Sequence, residues 1–276
     1  MPRKPPPAPK PPPLLPDGTL EQLAARSAIL LCLDYDGTIS ELVSRPGMAR
    51  PVEGVVAALK SMTPLGERVA VAIVSGRPIA ELRRMIGLGH EVMYAGVHGL
   101  EIAGRSRGGG GDGIRIAAHA ARFAPELDRM RAWLADNVPN GAGFEVEDKG
   151  LAVALHFRNA EPAAAAALSA QYEEFIREDA PHLRAAHNKM VIEALPAAAS
   201  KGAALRVLGS EAGASFVPVY FGDDQTDEDA FAEVESRGVG ILVGEARPSR
   251  ARWRVDSPAE VARVLTRLAA ALVRDS

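Results

Sequence analysis

The sequence predicts an α/β protein, a parallel sheet with crossover helices interrupted by an inserted α+β unit. Three observations carry this. Short apolar runs at Leu30–Leu33, Val69–Val74 and Val92–Ala95 alternate with stretches of helical spacing, the pattern of strands joined by crossover helices. A Gly-Gly-Gly-Gly tract breaks that alternation and opens a segment of different pattern. The alternation then resumes at Ser200.

Taken in order, Met1–Pro16 is rich in proline, with Arg3, Lys4 and Lys10 interspersed. Proline has no N–H to give a ladder, so residues 1–16 are expected to be a disordered or polyproline tail. Asp17–Arg26 reads as a short helix. The first strand ends abruptly in Asp34-Tyr35-Asp36-Gly37-Thr38, where Gly37 eases a tight turn. Val52–Met62 has helical spacing. The β-branched run Val69–Val74 ends at Ser75-Gly76-Arg77-Pro78, and Ile79–Ile86 reads as a helix with Pro78 at a tolerated early position. Val92–Ala95 is a strand ending in Gly96-Val97-His98-Gly99.

The pattern then changes. Pro125–Asn137 reads as a helix, Phe144–Asp148 and Leu151–Phe157 as two strands around a Lys149-Gly150 turn. Pro162–Glu178 is an Ala-rich helix, and Arg184–Glu193 a further pair of short strands. Lys201–Leu208 is helical with Ser200 as its N-cap. Val217–Phe221 is a strand ending in Gly222-Asp223-Asp224, Val239–Val243 a last strand, and Pro258–Val273 a closing amphipathic helix. The expected organisation is a core of residues 17–104 and 195–276, with residues 105–194 inserted.

Composition narrows the function classes. The chain has 276 residues, 47% of them hydrophobic, enough for a sizeable core. Net charge is −3 and the isoelectric point about 6.1, so no global basic field suggests nucleic acid or a membrane surface. The single cysteine, Cys32, excludes an intrachain disulfide framework and sits in a buried strand, where a thiol acts as a small hydrophobe. No apolar run reaches the roughly 20 residues needed to span a bilayer, and no signal peptide is read at the N-terminus. A cytosolic monomer is expected.

Four element ends offer polar groups: Asp34 with Asp36, Ser75, Lys201, and Asp223 with Asp224. In open α/β sheets, ligands bind where strands end at their carboxyl side. Each group alone has a structural account. The acids could close a turn, Ser75 could cap one, and Asp223 could cap a helix. Lys201 is unfavourable beside a helix N-terminus, which suggests another task such as holding an anion. Asp227 and Glu228 read as first-turn acids complementing the dipole, either structural or supporting the site from behind its contact groups. Together the groups suit phosphoryl transfer: a carboxylate attacks phosphorus, a cation neutralises charge, and a second carboxylic acid moves the proton.

Asp34-Tyr35-Asp36-Gly37-Thr38, Ser75, Lys201 and Gly222-Asp223-Asp224 resemble, in order, the four motifs of the haloacid dehalogenase-like (HAD) phosphatases. Val74-Ser75-Gly76-Arg77, Gly96-Val97-His98-Gly99-Leu100-Glu101, Val146-Glu147-Asp148-Lys149-Gly150, His156-Phe157-Arg158-Asn159, Lys189-Met190-Val191-Ile192-Glu193 and Gly222-Asp223-Asp224-Gln225-Thr226-Asp227-Glu228 are similar to the trehalose-phosphate phosphatases. The likeness spans about Ser27–Leu268.

The resemblance implies a Rossmann-like parallel-sheet HAD core with an inserted α+β cap domain. It implies Mg²⁺-dependent hydrolysis of trehalose 6-phosphate, with Asp34 as nucleophile and Asp36 as general acid/base. Ser75 and Lys201 would hold the phosphate. Asp34, Asp36 through its carbonyl, and Asp223 would bind the metal, with Asp224 acting through a metal-bound water. Gly76, Arg77, His98, Glu147, Lys149, Arg158, Lys189 and Glu193 would contact the substrate. Two departures stand out: Ser200 where the family often has Asn, and a short Ala194-Leu195-Pro196 run after the cap glutamate. Alternatives are another sugar phosphate (sucrose- or glycosylglycerol-phosphate), a phospho-accepting receiver domain, and a sugar-binding regulator without catalysis.

Overall fold

A computed structural model describes residues 10–43, 46–104, 113–117, 120–188 and 190–274. The first strand shows how the core is built. β1 (Ile29–Leu33) is buried along its whole length, as an interior strand covered on both faces must be. Alternate residues feed opposite faces. Ile29, Leu31 and Leu33 join one cluster with residues of α1 (Thr19–Ala24), α2 (Val55–Met62), α3 (Ile79–Ile86) and α8 (Pro258–Arg274). Leu30 and Cys32 join a second cluster with residues of α6 (Lys201–Ala212) and α7 (Glu228–Val234).

The remaining strands of this sheet are β2 (Val69–Val74), β3 (Met93–Gly96), β4 (Glu101–Ala103), β5 (Arg115–Ile116), β10 (Val217–Gly222), β11 (Val239–Val243) and β12 (Trp253–Val255). The order is β12-β11-β10-β1-β2-β3-β4-β5. All pairs from β12 to β3 are parallel, while β4 and β5 add an antiparallel edge. β1 continues to β2 on one side and pairs with late-arriving β10 on the other. The strand order reverses there, so a crevice opens above the carboxyl ends of β1 and β10.

The inserted segment forms a second, antiparallel sheet from β6 (Glu145–Asp148), β7 (Val153–His156), β8 (Leu183–Asn188) and β9 (Val191–Pro196), ordered β6-β7-β9-β8. α4 (Ala124–Asn137) and α5 (Pro162–Asp179) bury its apolar face, with Leu127, Met130, Leu134, Tyr172 and Ile176 in a separate cluster. Trp133 stacks with both Tyr172 and Phe175, at centroid distances of 5.5 and 5.4 Å.

Several expectations are corrected. α2 starts at Val55 rather than Val52, because Gly54 takes a left-handed φ of 88° and sets the entry to the helix. β5 lies within the segment assigned to the insertion yet pairs with the core sheet, and β9 runs on to Pro196. Residues 10–16 are not a free tail. Leu15 donates to the Arg254 carbonyl at 2.8 Å and the Arg254 N–H donates to Pro13 at 2.9 Å, so this segment covers the β12 edge. The prolines tolerate this because an edge cover needs donors on one side only. Residues 1–9, the glycine tract Gly108–Gly111 and Lys189 lie outside the described residues. Among the described residues, no helix is long and apolar enough to cross a membrane.

Candidate active site

Asp34 follows β1 directly, and its N–H still donates to Phe221 of β10 at 2.9 Å. The chain then turns through Gly37 at φ 77°. A Cβ at Gly37 would collide with the Asp223 carboxylate, so the glycine permits the Asp34 and Asp223 loops to meet. Lys201 opens α6, where Ser200 accepts from the Ala203 N–H at 3.0 Å as the expected N-cap. The lysine points into the crevice. Its Nζ lies 3.0 Å from Asp34 Oδ1 and 2.7 Å from Asp227 Oδ1. Tyr220 donates its hydroxyl to the same Asp227 oxygen at 2.5 Å. Burial opposes the Lys201 charge, but Asp227 and Asp34 outweigh it and hold the ammonium well above its ordinary range. Asp227, read from the sequence as a dipole-complementing acid, is therefore the anchor of this lysine.

Burial pushes the Asp34 carboxyl up, and Asp227, Asp223 and Asp36 add to the rise against the pull of Lys201. Asp36 is held elsewhere. Arg77 grips it with two prongs, Nε to Oδ2 at 2.6 Å and Nη2 to Oδ1 at 2.8 Å. The third arm of the guanidinium reaches Glu81 at 2.6 Å. Ser75 accepts the Arg77 N–H at 3.2 Å, so its hydroxyl shapes this turn while lining the cleft.

The inserted sheet supplies the opposite wall. Glu193 of β9 is fully buried between Lys149, at 3.0 Å, and His98 Nε2, at 3.2 Å. Burial raises the Glu193 carboxyl, but Lys149 and His98 overcome this and bring it down to about 2. Lys149 also sits 3.9 Å from Glu147, whose carboxylate contacts His156 at 2.9 Å. Of the residues expected to form the site, Asp34, Asp36, Ser75, Gly76, Arg77, His98, Glu147, Lys149, Arg158, Glu193, Lys201, Asp223 and Asp224 line one cleft between the core and the inserted sheet. The sequence reading missed His156 and Asn159, and four apolar liners: Leu42, Val43, Met190 and Val191. His156 carried a signal, since it stands in the His156-Phe157-Arg158-Asn159 run.

A family model described as trehalose-phosphatase matches residues 32–259. The chain belongs to the trehalose-phosphatase family. A trehalose-phosphate phosphatase from Mycobacterium marinum is 37% identical over 249 residues, covering 87% of this chain and 61% of the relative. A probable trehalose-phosphate phosphatase 4 from Oryza sativa subsp. japonica is 33% identical, covering 90% of this chain and 68% of the relative. This chain thus spans about three fifths of the mycobacterial relative. The C-terminal domain of Candida albicans trehalose-6-phosphate phosphatase shares the fold, with a TM-score of 0.80 at 22% identity over 95% of this chain and 99% of that one. A haloacid dehalogenase-like hydrolase from Bacteroides thetaiotaomicron also shares it, with a TM-score of 0.57 at 16% identity, over 87% of this chain and 99% of that one.

This trehalose-phosphatase family member has a donor set suited to a hard cation. Oxygens of Asp34, Asp223 and Asp227 lie within 4.8 Å of one another. Lys201 pairs with two of these three carboxylates, and if all three are ionised the cluster has about two negative charges in excess, which one divalent ion would balance. Asp227 is engaged by both Lys201 and Tyr220, and Asp34 by Lys201. The Asp36 carboxylate is turned to Arg77. Asp224 accepts the Gln225 N–H at 2.7 Å.

Proposed function

We propose that this chain hydrolyses trehalose 6-phosphate to trehalose and phosphate. One observation carries the reading. The Asp34–Lys201 pair and the Glu193–Lys149 pair line the same cleft from opposite walls. The first wall suits a phosphate, and the second offers both donors and acceptors, which hydroxyls require and a phosphate clamp does not.

The residues divide the work. Lys201 and Ser75 hold the non-reacting phosphate oxygens. An Asp34 carboxylate oxygen attacks phosphorus, and the bond from phosphorus to the sugar oxygen breaks. Asp36, as the carboxylic acid, gives its proton to the leaving alkoxide. The resulting Asp36 carboxylate then takes a proton from water, which attacks the phosphorus of the aspartyl-phosphate. Phosphate leaves and the Asp34 carboxylate is restored. Mg²⁺ held by Asp34 and Asp223 would neutralise charge gathering on the transferring group. The inserted segment serves as a cap that reads the sugar through Glu147, Lys149, Arg158, Lys189 and Glu193, and keeps bulk water from the reacting atoms.

The test is phosphate release across a panel of sugar phosphates, with Mg²⁺ and with EDTA. Trehalose 6-phosphate should be preferred over sucrose- and glycosylglycerol-phosphate, and EDTA should abolish turnover until Mg²⁺ is restored. Preference for another sugar phosphate, or full activity in chelator, would reject the substrate or the metal respectively.

A further inference from the structure

His98 lines the cleft at the junction of its two walls. It is buried, at 3% exposure, in the tight turn between β3 and β4. Its φ is 53°, and that of the preceding Val97 is 45°, a left-handed conformation that a β-branched residue adopts only under constraint. The constraints come from the loop that ends β2. The His98 N–H donates to the Ser75 carbonyl at 3.0 Å, and the Val97 N–H donates to the Arg77 carbonyl at 3.0 Å. The His98 ring lies over Gly76, where a Cβ would come within 2.7 Å of Nε2. The strained turn and the Ser75-Gly76-Arg77 loop are therefore one packed unit.

The same ring nitrogen also faces the inserted sheet. Nε2 lies 3.2 Å from Glu193 Oε2. An ionised carboxylate only accepts, so Nε2 carries the proton and donates. Lys149 holds the other Glu193 oxygen at 3.0 Å. One side chain thus joins the loop expected to seat the phosphate to the carboxylate expected to read the sugar.

The geometry points to His98 as a positioning residue that couples the two half-sites: sugar bound at Glu193 organises Ser75, Gly76 and Arg77 for the phosphate through the His98 ring. This rests on the reading of the substrate as a sugar phosphate. It explains why the turn is built on strain, since a relaxed turn would leave the ring free to follow Glu193 without moving the loop. It also gives the enzyme a way to favour a phosphate attached to the right sugar over phosphate alone.

Coupling of this kind is reciprocal and can be measured with the two products. With Mg²⁺ present, inorganic phosphate is titrated calorimetrically with and without saturating trehalose. In the wild type, trehalose should tighten phosphate binding on the order of fivefold or more. His98→Asn tolerates the left-handed turn but is too short to reach Glu193, and there the factor should fall to near one. His98→Gln, whose amide reaches further, should recover part of it. The factor is a ratio of affinities, so a fraction of misfolded protein does not change it. A factor in His98→Asn equal to that of the wild type would overturn the coupling while leaving the substrate reading intact. Failure of the wild type to bind trehalose at all would overturn both.

Discussion

Arg77 closes on both oxygens of Asp36, at 2.6 and 2.8 Å, and so fixes the plane of the carboxyl group assigned to proton transfer. A planar guanidinium can do this and a point charge cannot. Arg77→Lys should therefore fold normally but lose up to about 100-fold in kcat, because the proton donor is no longer held in one orientation. Asp36→Asn should lose on the order of 10²–10⁴-fold, having no proton to give. Stopped assays on both variants, checked by circular dichroism, decide the point. An Arg77→Lys enzyme with unchanged kcat would mean that the grip is structural.

Asp34→Asn keeps the size of the side chain proposed as nucleophile and removes its charge. Turnover should drop to background, with the fold retained. Measurable phosphorylation of the protein in this variant would move the nucleophile elsewhere.

The Lys201–Asp227–Tyr220 contacts make a stability prediction. Lys201 is almost wholly buried against two acids. Removing one member of a buried charge set typically costs about 3–5 kcal/mol, because the partners are left uncompensated. Lys201→Met should show a loss of that order by urea unfolding in EDTA, and added Mg²⁺ should return part of it. Unchanged stability would show that the acids do not need this charge.

What could be read before the structure follows from how locally each feature is encoded. Asp34, Ser75 and Asp223 each end a long apolar run, and Lys201 follows an N-cap serine, so adjacent residues announce them. β12 has three residues and β5 two, too short to carry any period, and both were missed. The pairing of residues 10–16 with β12 was hidden by proline content, which signals disorder unless an edge happens to be waiting. His98 and Glu193 are 95 residues apart, and nothing in either neighbourhood states that the inserted sheet docks on the β3–β4 turn. Asp227 was visible as an acid in a structural or supporting role, but its partner was not, because the sequence shows a helix start and not the lysine that reaches it.

Glu193 carries a pH prediction. Its carboxyl has an unperturbed value of 4.5 and is held at about 2 in the fold. Between those limits the unfolded chain binds the proton and the folded one does not, so stability rises with pH across that window. The contribution should be complete above 4.5 and disappear as pH falls towards 2. The stability difference between wild type and Glu193→Gln should therefore be flat over about pH 6–8 and shrink below about 4.5. A difference that changes across neutral pH would implicate a different group.

The last prediction concerns selectivity. Nothing in the Asp34, Ser75 and Lys201 set distinguishes one sugar from another, so the proposed reading assigns discrimination to the opposite wall. There Lys149 spends one donor on Glu193 at 3.0 Å, and an ammonium has three. Glu147 accepts from His156 at 2.9 Å, and a carboxylate has further acceptor sites. Both can therefore turn to hydroxyls of a bound sugar while keeping their present partners. A hydrogen bond to a charged group is worth about 1.5–3 kcal/mol, on the order of 10- to 100-fold in rate or affinity. Glu147→Ala and Lys149→Ala should lose this much in kcat/KM on trehalose 6-phosphate and far less on p-nitrophenyl phosphate, which has no hydroxyls to offer. Lys149→Ala also strips Glu193 of a cation, so its loss should exceed that of Glu147→Ala. Equal losses on the two substrates would show that this wall supports the core instead of reading the sugar, and the role of the inserted sheet would have to be reassigned.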